Sequence, residues 1–110
     1  MITNFLMALL LENLKTKVMN KTVDQLKEEA SNKLKTRIRE LRFLYQQQEQ
    51  SVVFAILEDK ETVWITKEGG AKVQFKIEEA ERGLSTIRNS IVTKQLLYQR
   101  LSGKTYKDSL

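Results

Sequence analysis

The sequence predicts an α+β fold on three observations. Apolar residues recur at three- and four-residue steps up to about residue 50. The period then shortens between Ser51 and Ile77, where β-branched and aromatic residues gather and glycines mark a turn. From Glu78 the helical period returns. The expected architecture is an N-terminal helical hairpin or long helix, a three-stranded antiparallel meander and a C-terminal helix. With 110 residues and no internal repeat, the chain is read as one domain over 1–110.

Residues 3–50 form the expected helical interaction region. From Val23, the residues Leu26, Ala30, Leu34, Ile38, Leu41 and Tyr45 fall on one helical stripe. Thr22 and Gln25 have capping-box spacing, with Asp24 in the first turn, which marks a helix start. Leu10, Leu14 and Val18 carry the same stripe backwards without Pro or Gly. The preferred reading is therefore two helices meeting near Asn20, with one continuous helix as the alternative.

Residues 51–77 form the expected meander. Its strands are Ser51–Leu57, Thr62–Thr66 and Lys72–Ile77, separated by Glu58–Glu61 and by Glu68–Ala71. Gly69 and Gly70 supply the positive φ that a tight hairpin requires. In the third strand Val73, Phe75 and Ile77 face one way while the lysines Lys72 and Lys76 face the other. In the second, Val63 and Ile65 should face the helices and Trp64 the opposite side.

The last helix spans 78–102. Glu78, Glu79 and Glu81 sit where the helix dipole favours negative charge. Ile77, Ala80, Leu84, Ile87, Ile91, Tyr98 and Leu101 fall on heptad a and d positions, interrupted at Lys94. Gly83 marks a potential break, Gly103 reads as a C-cap, and residues 104–110 read as a flexible tail.

Composition narrows the chemistry sharply. The chain has no His, Cys or Pro. It therefore lacks the side chain that titrates near neutral pH, and it has no thiolate nucleophile and no zinc ligand set of Cys or His. Glu58, Asp59 and Glu61 lack calcium-loop spacing and read as a solvated turn. Glu68–Lys72 holds two glycines and a lysine, but the P-loop frame is absent and strand residues follow. No catalytic residue, metal site, cofactor or small-molecule substrate is expected.

Two features point to partners. Phe5–Leu11 reads FLMALLL, and Ile2, Phe5, Leu6, Met7, Leu9, Leu10, Leu11 and Leu14 cover nearly every side of a helix, with Phe5, Leu6, Leu9, Leu10 and Leu14 the expected contacts. That is too apolar for so small a chain to enclose. The run falls well short of the roughly 20 residues of a membrane span and lacks the flanks of a signal peptide. Together with Leu34, Ile38, Leu41 and Trp64, these residues form the expected partner interface.

The second feature is basic. Lys33 and Arg37 lie on one flank of the Leu34–Ile38–Leu41 stripe, and Lys35, Arg39 and Arg42 on the other. Positive charge on both sides of an apolar seam is the e and g arrangement of a coiled coil. A parallel homodimer would juxtapose like charges, so an antiparallel pair or an acidic partner helix suits it better. These five residues are the expected contacts for an anionic partner.

The net charge of +5 favours anionic partners in general. The functional expectation is a non-enzymatic interaction or assembly module, acting as an oligomer or as a small subunit of a larger complex. Adaptors, assembly chaperones and phage-like structural components fit that description, in a cytoplasmic or virion-associated setting. The alternative is a small basic nucleic-acid-binding regulator using the same cations with Arg88, Lys94, Arg100, Lys104 and Lys107.

Overall fold

The first helix begins where its capping residues dictate. In the computed structural model, which describes residues 21–106, the Thr22 side chain accepts a hydrogen bond from the Gln25 N–H at 3.2 Å. The Gln25 side chain returns one from the Thr22 N–H at 3.0 Å. Two otherwise orphaned donors are thereby satisfied, and helix α1 runs from Val23 to Leu57. Whether a second helix precedes it lies outside the described residues.

At 35 residues, α1 is about 52 Å long. Its last two turns are Ser51–Leu57, the segment expected as the first strand. The sheet accordingly has two strands, β1 (Thr62–Thr66) and β2 (Lys72–Lys76), rather than three. The reason lies in the seam. Ser31, Leu34, Ile38, Leu41, Tyr45, Gln48, Val52 and Ala55 follow at alternating steps of three and four, and all are buried or half-buried. Val52 and Ala55 continue that stripe into the β-branched run, so tertiary packing overrides the local strand preference.

Termination of α1 needs no glycine. The Asp59 backbone adopts φ 56°, the left-handed region. The Lys60 N–H then reaches the Ala55 carbonyl at 2.9 Å, and the Asp59 N–H the Ile56 carbonyl at 3.1 Å. This is a Schellman cap with aspartate in the place usually held by glycine. Glu58–Glu61, expected as a hairpin turn, is therefore the connection from helix to strand.

The single hairpin pairs β1 with β2 antiparallel, Trp64 opposite Gln74. The Lys67 N–H bonds the Ala71 carbonyl at 2.7 Å and the Gly70 N–H bonds the Lys67 carbonyl at 2.9 Å. Gly69 and Gly70 sit at φ 97° and 95°, where a Cβ would be strained. β2 runs straight into helix α2 (Ile77–Ser102), whose Ile77 N–H is held by the Glu61 carbonyl at 3.2 Å. Gly83 does not interrupt α2. Gly103 ends it at φ 71°, its N–H bonded to the Gln99 carbonyl.

The two helices pack antiparallel along complementary heptad seams. One cluster joins Val52 and Ala55 of α1 to Ala80 and Leu84 of α2 and to Val63 and Ile65 of β1. A second, nearer the N-terminal end of α1, joins Ile38 and Leu41 to Ile91. Tyr45 touches both. Full burial of a side chain such as Ile38 contributes about 1.5–3 kcal/mol. Lys94 stands on the α2 seam, half-buried, with its ammonium on Ser90 Oγ at 2.9 Å.

Within the segment expected as a flexible tail Tyr106 is half-buried, and residues 107–110 lie outside the described residues. The Tyr106 ring meets Tyr98 edge-on at 5.3 Å and packs against the second cluster. None of the described helices is long and apolar enough to cross a membrane.

Candidate functional site

The fold places the expected site residues in different surroundings. Ile38 and Leu41, expected at a partner interface, are 0% and 5% exposed inside the chain's own core. Their seam partner is α2 of the same chain. Leu34 is half-buried on the same stripe. Phe5, Leu6, Leu9, Leu10 and Leu14 lie outside the described residues.

The basic flanks divide. Arg37 is engaged within the chain: its guanidinium makes a two-pronged contact with the Glu68 carboxylate, Nη2 to Oε2 at 3.0 Å, and donates to Glu40 at 3.1 Å. The Arg37 hydrogen bonds hold the Glu68 carboxyl below the usual carboxylate range. Glu68, then Glu40, hold the guanidinium more firmly charged than usual. The pair joins the tip of the hairpin to the middle of α1. Arg37 thus ties the hairpin to α1 through carboxylates of its own chain. Lys35 and Arg42 are half-buried, while Lys33 and Arg39 stand exposed.

One side of the helix pair is covered by the hairpin. Val63, Ile65 and Phe75 lie over the Val52–Leu84 cluster, and Gln48 couples the seam to the strand. The Gln48 side-chain amide donates to the Thr66 carbonyl at 3.1 Å. The other side is bare. There Arg42, Tyr45 and Glu49 of α1 meet Arg88, Val92 and Gln95 of α2 around an open groove. Arg88 donates to the Tyr45 hydroxyl and lies 5.4 Å over its ring. That hydrogen bond, foremost, keeps Arg88 firmly protonated.

Trp64 is 60% exposed, with Thr62 and Thr66, on the sheet face away from the helices. Lys72, Gln74 and Lys76 stand across from them on β2.

The sequence reading missed a second stripe on α1. Phe43, Gln47, Gln50, Phe54 and Leu57 follow at steps of 4, 3, 4 and 3 on the side opposite the buried seam. Phe43 is 70% exposed, Phe54 54% and Leu57 72%, with Val53 exposed beside them. Assigning Ser51–Leu57 to a strand split the stripe in two and hid it. The four–three spacing is visible once that segment is helical.

Among the described residues, no group of three or more acidic side chains is placed to hold a metal ion. A scan of protein-family models finds no match to the chain, and neither the curated proteins nor the solved structures contain a significant one.

Proposed function

We propose that this chain is a non-enzymatic interaction module that works as an oligomer or as a small subunit of a larger assembly. One observation carries the reading. Among the described residues nine apolar side chains are buried, yet eleven large apolar ones are exposed, several of them on one end of α1. Single exposed apolar residues are ordinary, whereas a contiguous patch marks an interaction surface.

The shape explains why the chain leaves them uncovered. Two helices and one hairpin make a body 18 Å across at its thinnest, with a radius of gyration of 20.4 Å. A compact domain of this length has about 13 Å. Among the described residues this thin body has one packed seam, and none of them forms a second layer over the back of α1. An adaptor, an assembly chaperone or a structural component of a particle fits a shape of this kind.

Light scattering coupled to sizing tests the proposal. A mass at or above twice 12.8 kDa, or a stoichiometric partner retained through isolation, is the expected result. A lone 12.8 kDa species at high micromolar concentration, with no partner retained, contradicts it.

A nucleic-acid reading retains Lys33 and Arg39 as exposed cations but lacks Arg37, which is engaged by Glu68 and Glu40. Phosphate contacts would make affinity fall steeply with salt, whereas apolar docking barely responds.

A further inference from the structure

We propose that the outer stripe of α1, Phe43–Gln47–Gln50–Phe54–Leu57, is a second coiled-coil seam that takes the same stripe of a second copy of the chain, antiparallel and centred on Gln50. The inference rests on the interaction-module reading above and names its partner. Residues at alternating four- and three-residue steps stay on one face along a helix, which is what helix–helix packing requires. α1 carries two such faces. The first is filled by α2, and the second faces outward with two phenylalanines and a leucine on it.

Charge argues for a like partner. From Phe43 to Leu57 the one charged residue is Glu49, which lies near the bare groove and off the stripe. Along the stripe itself, two copies with a net charge of +5 each can therefore meet without facing like charges. The preceding half of α1 differs. Glu29, Lys33, Arg39 and Glu40 are exposed there, and parallel pairing would set each beside its own copy. An antiparallel pair centred on Gln50 overlaps only the uncharged halves and sends the charged halves in opposite directions. Phe43 then meets the partner copy's leucine end, beside the groove between α1 and the hairpin tip that Leu44 and Gly69 also line.

The exposed parts of Phe43, Val53, Phe54 and Leu57 present about 500 Å² of apolar surface, with exposed Gln47 and Gln50 among them.

The absence of cysteine makes the test clean. Gln50→Cys, on the two-fold axis, is expected to oxidise to a disulfide-linked dimer in high yield. Thr36→Cys, on the outer side of the charged half, lies about 42 Å from its mate in this arrangement and should stay monomeric on denaturing gels. Circular dichroism checks that both variants keep their helices.

Linking through Thr36→Cys as well as Gln50→Cys means a parallel pair and overturns the proposal. A dimer by light scattering that neither cysteine links means another face is used, and the proposal fails while the interaction-module reading stands. An intramolecular link in a Leu10→Cys, Gln50→Cys double variant assigns the stripe to the leading segment and also overturns it. A strictly monomeric protein that retains no partner overturns both.

Discussion

The two halves of α1 obey different rules. From Val23 to Arg42 charged residues fill half the positions and a single stripe, ending at Ile38 and Leu41, is buried. From Phe43 to Leu57 Glu49 is the sole charge, and apolar residues occupy two opposed stripes. The first half is finished once α2 covers it. The second half has a seam filled by Val52, Ala55 and the hairpin, and another left open at Phe43, Phe54 and Leu57. A helix needs only one apolar stripe to hold its own domain together, so the second stripe, confined to one half, is what the proposed self-association rests on.

Substitutions separate the halves. The largest effect falls on the closed seam. Ile38→Ala removes a fully buried side chain and leaves a cavity, so it should cost about 2–5 kcal/mol in denaturant unfolding at every protein concentration. On the open seam, Phe54→Glu should leave the helical signal intact and lower the solution mass to that of the single chain. An equal loss of stability from both changes at high dilution would erase the distinction between the halves.

A smaller effect sharpens the boundary where α1 stops. Asp59 occupies the left-handed region, which glycine enters without strain. Asp59→Gly should raise the unfolding free energy by about 0.5–1 kcal/mol, and Asp59→Val should lower it. If the gain is absent, the cap is not what ends the helix.

The smallest effect concerns the hairpin clamp. Arg37 holds the Glu68 carboxyl below its usual range, so the folded state binds a proton there less readily than the unfolded chain. The contact contributes fully above the ordinary carboxylate pKa and is lost as pH falls through the lowered one. Both groups are solvent-exposed, so the contribution is modest. Fluorescence of Trp64, the chain's one tryptophan, should report a loosening of the hairpin on acidification that Glu68→Gln abolishes.

Much of the frame was legible in the residues, and the failures share a cause. Thr22 and Gln25 marked the start of α1, Gly69 and Gly70 the hairpin, and Gly103 the end of α2. The alternation of Val63, Trp64 and Ile65 gave the correct buried and exposed faces. These are local signals, set by backbone angles, capping or period. Ser51–Leu57 misled because β-branched residues prefer strands locally, while the stripe through Gln48, Val52 and Ala55 is a property of the packed pair. Asp59 carries no glycine to announce a stop. Arg37 and Glu68 are 31 residues apart, and no local pattern joins them. Ile38 and Leu41 read as partner-facing because a packed seam has the same spacing whichever helix covers it, and here they lie in a core cluster with Ile91 of α2.

The most direct measurement is the thermal midpoint of the wild-type protein and of Phe54→Glu over a hundredfold range of concentration. A seam closed by a second copy makes the wild-type midpoint climb with concentration by mass action, while that of Phe54→Glu stays level. A wild-type midpoint that does not move, or one that moves equally in the variant, would contradict the assignment of the outer stripe to self-association.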